Sequence, residues 1–309
     1  MEELLPLSWT RIEGIKAVYR DILLPVSRTR WVTFADIPHE YTFQILYEDL
    51  CRTYPDGYVI RGCTPEMADF FHLEKCYMVR SGAEAVLDLN RPHMKRKTIS
   101  ASLNRGIKHG QVEEISLNNS TVHQFDAFRR ETTHAEKPQL SHVFRQNLSL
   151  DKRTFVFCSY SGKWLALITI SRRDRFAFHT ELMLRHRNAP GDIMECLVAE
   201  IFEILRSEGI QEWSLGEVPF VFPDQAAEEP QNPVEKLILT IASSCKYAYD
   251  YETLYRFKNK FSPVWRPVML CTYNPPTTVL LAELAFAMGF TNLLAYESLM
   301  MTRKLLNLR

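Results

Sequence analysis

Residues 154–183 read TFVFCSYSGKWLALITISRRDRFAFHTELM, and this stretch decides the fold. Three runs rich in β-branched and aromatic residues, Thr154–Tyr160, Trp164–Ile170 and Phe176–Met183, are separated by turn residues at Ser161-Gly162 and Arg173-Asp174. Runs of this length bounded by such residues predict three consecutive strands. A helix is expected from about Asp192 to Ser207. Ile193, Leu197, Ile201 and Leu205 recur there every fourth residue on one face, and Gly209 ends it. Glu212–Gly216 reads as the next strand. Strand, strand, strand, helix, strand is an α/β pattern.

Upstream the alternation continues. Trp31–Ala35 is a short apolar strand, and Tyr41–Tyr54 has helical spacing of Phe43, Leu46 and Leu50. Tyr58–Ile60 predicts a strand and Pro65–His72 a short helix opened by proline. Tyr77–Val79 and Ala85–Leu89 read as two strands. Between Met94 and Gly110, Ile99, Leu103 and Ile107 share a helical face, while Lys97, Asn104, Arg105 and Lys108 fall on others. Val112–Ser116 is another expected strand. The polar stretch Glu131–Asn147 shows no periodicity, and Ala226–Pro233, with two prolines and paired glutamates, reads as a loop. Two units, 1–125 and 126–309, are expected.

Formal net charge is zero, so an anionic partner must be met by a local basic patch. The seven cysteines form no CxxC pair and read as reduced thiols. The histidines form no HxxxH or HExxH pair, so no metal site is expected. The acidic start Met1-Glu2-Glu3 lacks the basic-then-apolar pattern of a signal peptide. Val279–Phe290 is too short to span a bilayer and carries Glu283. A soluble, cytoplasmic chain is the expectation.

Four stretches, in order, resemble motifs of the phosphatidylglycerol lysyltransferase catalytic domain family. They are Thr64-Pro65-Glu66-Met67 leading to Arg80-Ser81-Gly82-Ala83-Glu84-Ala85-Val86-Leu87-Asp88-Leu89, and the Lys95–Gly110 basic helix with its Leu103-Asn104-Arg105 core. The third is Glu181-Leu182-Met183-Leu184-Arg185 through Asn188-Ala189-Pro190-Gly191-Asp192, ending in Ser214-Leu215-Gly216. The fourth, Leu254-Tyr255-Arg256-Phe257-Lys258-Asn259-Lys260-Phe261-Ser262-Pro263-Val264-Trp265-Arg266-Pro267, is the most specific, because it fixes many residue types at set spacing.

The resemblance implies tandem acetyltransferase-type (GNAT-like) domains sharing a central cleft. It also implies transfer of an aminoacyl group from aminoacyl-tRNA to a lipid hydroxyl such as that of phosphatidylglycerol, with no cofactor. The lipid would be met by peripheral contact at the inner face of the membrane. Two departures stand out. The family acid is usually Asp and here is Glu181, and the family arginine three residues on falls at Leu184, with Arg185 one place later. Rival readings are a coenzyme-A-dependent N-acyltransferase of the same fold and a non-catalytic binding module.

The resemblance assigns Glu181 to the substrate ammonium and Arg185, Gly216, Arg256, Lys258, Lys260, Asn104 and Arg105 to substrate binding. By pattern alone, Glu181 is an exposed glutamate pairing with Arg185. Arg256, Lys258 and Lys260 share a face if the segment is extended; if it is helical, only Arg256 and Lys260 do. Arg172, Arg173 and Arg175 read as a hairpin turn, and His179 as a possible base or a satisfied core histidine. Asn188–Gly191 precedes a helix whose free N–H groups suit an anion, but its single glycine argues against coenzyme A.

Overall fold

The computed structural model describes residues 3–222 and 250–305, with Lys236 and Thr240. The expected loop at 226–233, Cys245 and the two chain ends lie outside the described residues. Eleven strands form one mixed sheet among the described residues. They are β1 (Thr10–Ile12), β2 (Val18–Leu23), β3 (Arg30–Pro38), β4 (Tyr58–Cys63), β5 (Tyr77–Asp88), β6 (Gly110–Ile115), β7 (Lys152–Ser159), β8 (Trp164–Asp174), β9 (Ala177–Arg185), β10 (Glu212–Pro219) and β11 (Val264–Thr272). Their spatial order is β1-β3-β4-β11-β5-β10-β9-β8-β7-β6, with β2 on β3. The α/β, GNAT-like architecture read from the sequence is the one the chain adopts.

The helices are α1 (Phe43–Thr53), α2 (Pro65–Leu73), α3 (Lys97–Gly106), α4 (Asn119–Arg130), α5 (Ile193–Ser207), α6 (Tyr251–Asn259), α7 (Thr278–Ala287) and α8 (Phe290–Leu305). Local chemistry sets their starts. The Thr42 hydroxyl accepts from the Ile45 N–H to cap α1, which buries Phe43, Leu46 and Leu50 as their spacing predicts. Thr64 caps α2, with Pro65 in the first turn. The faces of α1 and α2 close one core with Trp9, Ile37 and Tyr58. A second core packs Ile193, Leu197, Ile201 and Phe202 of α5 against Phe155, Ile168 and Trp213.

One expectation changes. The pair Tyr77–Val79 and Ala85–Leu89 is one twelve-residue strand, β5, because the polar residues between them remain in register with β10 and β11. Strands also interleave across residue 125: β6 pairs with β7, while β11, from late in the chain, lies between β4 and β5.

Gly106 explains a glycine in the basic helix. A Cβ there would stand 2.1 Å from Cys196 Sγ and 3.2 Å from the Asp192 carbonyl oxygen, so α3 sits against the start of α5 only without a side chain. We expect Gly106→Ala to cost about 1–3 kcal/mol through overpacking. In chemical denaturation the cost should be smaller in a Cys196→Ala background, since removing Sγ leaves room for the new methyl.

Candidate active site

The site begins where the sheet opens. β9 and β10 are parallel and pair only from Glu212↔Ala177 to Ser214↔His179. β10 then stays with β5, with a register irregularity between Ser214 and Glu217, while β9 runs on alone on that side to Arg185. Gly216 makes the departure, with φ at +90°, a region that glycine enters at no steric cost. A Cβ on Gly216 would lie 3.5 Å from Lys258 Nζ and 3.7 Å from His179 Cε1. Glycine, lysine and histidine thus meet at the apex of the split.

Lys258 is 4% exposed. Its Nζ donates to the Glu217 carbonyl oxygen at 3.1 Å. Burial pushes its pKa down to about 7, against the pull of Glu217 and Glu84. His179 is held neutral, well below the usual imidazole range, by burial and by the nearby cations Arg173, Lys258 and Arg61. Its Nδ1 lies 3.2 Å from Ser214 Oγ, which itself accepts from the Gly216 N–H. Arg173 donates to Glu84 at 2.6 Å in a wholly buried pair. Arg61 pairs with Glu217, which also accepts from Ser81 Oγ at 2.9 Å.

Glu181 is buried, not an exposed partner of Arg185. Its Oε1 accepts from Ser171 Oγ at 2.7 Å, and its Oε2 from Ser8 Oγ and the Arg145 N–H, each at 2.8 Å. A carboxylate offers about four lone-pair sites, so one on Oε1 is left. Arg145 belongs to the irregular segment between α4 and β7. Its guanidinium donates to Asp36 at 2.6 Å and to the Ser8 and Ala35 carbonyl oxygens, tying that segment to the opposite half of the sheet.

The remaining expected residues lie elsewhere. The 254–260 segment is helical, so Lys258 points into the split while Arg256 and Lys260 are on the surface. Arg256 is 3.6 Å from Glu252, and Lys260 donates to Glu195 at 2.7 Å. Arg105 grips Asp192 through two hydrogen bonds, at 2.7 and 3.1 Å, and that contact holds the Asp192 carboxyl below its usual range. Arg96 donates to the Lys260 carbonyl oxygen, so α3, the end of α6 and the start of α5 share one charged surface. Asn104 is exposed on α3. Arg185 is exposed and donates to the carbonyl oxygens of Ala189 and Pro190, bracing the loop before α5.

Sequence reading missed Arg145, Ser8 and Ser171, and it took Arg173 for part of an exposed turn. Arg145 lies in the aperiodic polar stretch and carries no local signal, whereas Arg173 needed Glu84 from a distant strand to be recognised as buried. Among the described residues, no group of three or more His, Cys, Asp or Glu side chains could hold a metal.

A profile of the family described as phosphatidylglycerol lysyltransferase, C-terminal, matches residues 46–272. Among solved structures, L-PGS from Bacillus licheniformis superposes with a TM-score of 0.68 at 18% identity, over 88% of this chain and 86% of that one. The C-terminal domain of a putative lysylphosphatidylglycerol synthetase from Agrobacterium fabrum gives 0.66 at 18% identity, over 89% and 84%. FemX gives 0.52 at 7% identity, over 82% and 83%. At these identities the solved structures speak for the fold. No curated protein matches the sequence.

Lys258 makes a stability prediction. Its folded pKa, about 7, lies below the ordinary 10.5, so between those values the unfolded chain binds more protons. Stability from this group is therefore lowest below pH 7 and recovers as pH rises toward 10.5, by up to about 1 kcal/mol per pH unit. Subtracting a Lys258→Met variant should isolate that slope in urea unfolding between pH 7 and 9. Parallel curves would show the amine to be solvated.

Proposed function

Because this chain belongs to the phosphatidylglycerol lysyltransferase C-terminal family, whose profile covers residues 46–272, we propose that it moves an aminoacyl group from aminoacyl-tRNA to a lipid hydroxyl, with phosphatidylglycerol as acceptor. Family membership makes it an acyltransferase. The tRNA donor and the lipid acceptor are the finer reading. The observation that carries this reading is the buried amine of Lys258 at the apex of the β9–β10 split, with the Glu181 carboxylate farther along the same strand from His179.

Aminoacyl-tRNA is an activated ester, so the site needs to position, to move one proton and to stabilise an oxyanion. The acceptor hydroxyl attacks the ester carbonyl carbon as the amine of Lys258, whose pKa burial lowers to about 7, takes its proton. The tetrahedral oxyanion collapses, the ribose oxygen leaves, and the proton on Lys258 passes to it. Glu181 holds the aminoacyl ammonium through its remaining lone pair. Gly216 leaves room for the carbonyl at the apex. Asn104, Arg105, Arg256 and Lys260 face solvent on α3 and around α6, where tRNA phosphates can be met, and Arg185 fixes the loop leading to α5.

Coenzyme A is less well served. Asp192 at the N-cap of α5 and Glu195 in its first turn place carboxylates where an incoming pyrophosphate needs free N–H groups.

We expect Glu181→Gln to lower turnover of aminoacyl-tRNA on the order of a hundredfold, as loss of a charged contact at a reacting group does, with the melting curve retained. Wild-type turnover should rise as pH passes about 7, where Lys258 loses its proton, and Lys258→Met should lack that limb. Turnover with acetyl-coenzyme A but not with aminoacyl-tRNA would defeat the reading, as would an unchanged Glu181→Gln enzyme.

A further inference from the structure

Strand directions place the mouth of the split at a definable end of the sheet. β10 runs from Glu212, opposite Asp88, to Pro219, opposite Gly82, and β9 is parallel to it, so the split opens toward the Tyr77 end of β5. β11 finishes at that end, with Thr272 opposite Tyr77 and Val59. β3 starts there, with Arg30 opposite Tyr58. The β2–β3 turn, residues 24–29, and the start of α7 therefore lie at the same end as the mouth. From β3 to β10 there are four strand spacings, roughly 20 Å.

This end carries an apolar face. Val279, Glu283 and Phe286 share one side of α7, at spacings of four and three. Glu283 accepts from the N–H groups of Val26 and Ser27, at 2.6 and 2.9 Å, which seats the β2–β3 turn against that side. Val26 thus lies beside Glu283, with Val279 and Phe286 to either side along the helix. A cavity of about 320 Å³ between turn and helix is lined by both Val26 and Val279. Val26 is 72% exposed and Phe286 71%, while Leu280 and Leu284, on the inner side, are buried.

Charge favours one occupant. The two carboxylates of α7 and α8 are both taken up within the molecule, Glu283 by the turn and Glu297 by Lys137. Arg28 stands exposed at the tip of the turn and Arg303 on α8, against the exposed Asp56 in the turn before β4. No single described helix is long and apolar enough to cross a membrane; α7 and α8 reach that length only together, across a bend of 70°. Phe290, the first residue of α8, packs on Phe220 just past β10, so the helix pair borders the mouth of the split.

We propose that the α7 face formed by Val279 and Phe286, with Val26 at the β2–β3 turn, is a docking surface for an anionic lipid bilayer. Seated there, it holds the mouth of the split toward the headgroups. This rests on the lipid-acceptor reading above and supplies what that reading lacks, a route for a bilayer-bound hydroxyl to the apex. Apolar side chains enter the headgroup boundary while the cations meet anionic lipid.

The test uses the whole chain and sedimentation with vesicles of phosphatidylglycerol and phosphatidylcholine, or of phosphatidylcholine alone. Wild type should sediment with the anionic vesicles more than with the neutral ones. Val26→Asp/Phe286→Asp should lower the bound fraction on the order of tenfold, and Val26→Ser/Phe286→Ser, the milder pair, should do so in part with an unchanged melting curve. Turnover on vesicle phosphatidylglycerol should fall in parallel, while turnover on a monomeric short-chain phosphatidylglycerol stays at the wild-type rate. Wild type that never sediments, or variants that sediment like wild type, would overturn the proposal. So would a dimer in light scattering that the variants abolish, since the face would then belong to a second copy. Loss of short-chain turnover in wild type itself, with vesicle binding intact, would count against the transferase reading and not against the docking surface.

Discussion

The parting of β9 and β10 after Ser214 and His179 is the constraint on which the rest of this structure depends. Two parallel strands in the middle of a large sheet would ordinarily pair along their length. Here Gly216 takes a left-handed backbone and β10 is held by β5 instead. The gap admits a side chain from outside the sheet, and the residue that enters is Lys258. The positive φ at 216 is what calls for glycine; a Cβ there would make ordinary contact with that amine and with His179.

Opening a sheet in its interior leaves charge to be managed in a poorly solvated place. The chain does so with close pairs, Arg173 with Glu84 and Arg61 with Glu217, and with a carboxylate, Glu181, that is satisfied by two hydroxyls and one N–H. Buried charges persist when paired and hydrogen-bonded in this way. Among the described residues Lys258 donates to a carbonyl oxygen and to no carboxylate, and burial without a close counter-ion lowers its pKa. The same set of contacts ties distant parts of the chain together, because Arg145 reaches from the segment before β7 to Asp36 on β3 while its own N–H holds Glu181.

The surface cations obey a different rule. Arg105 faces the N-cap carboxylate of α5, Lys260 a carboxylate from its first turn, and Arg256 one from its own helix. The pairs of Arg105 and Arg256 are exposed and add little to stability, whereas Glu195 is buried and Lys260 is its charge partner. Arg105 and Arg256 can change partner at small cost; Lys260 cannot leave Glu195 without stranding a buried carboxylate.

Much of this was legible in the sequence. The β-branched and aromatic runs from Thr154 to Met183, bounded by turn residues, and the fourfold spacing of Ile193, Leu197, Ile201 and Leu205 fix strands and helix, because run length and helical spacing are both local patterns. The motif around Lys258 marked that residue, and Gly216 and Glu181 were singled out by the same resemblance. What local pattern could not carry was pairing. Whether residues 254–260 are helical or extended decides which cation turns inward, and alternating charge and aromatic residues fit both. The burial of Glu181 and Arg173 depends on partners at Ser8 and Glu84, far away in the chain. The place of β11 between β4 and β5 follows from closing one continuous sheet. Sequence determined the elements because their hydrophobic periodicity is local; tertiary structure alone decided the site, because burial and ion pairing are settled by which distant strands come to lie side by side.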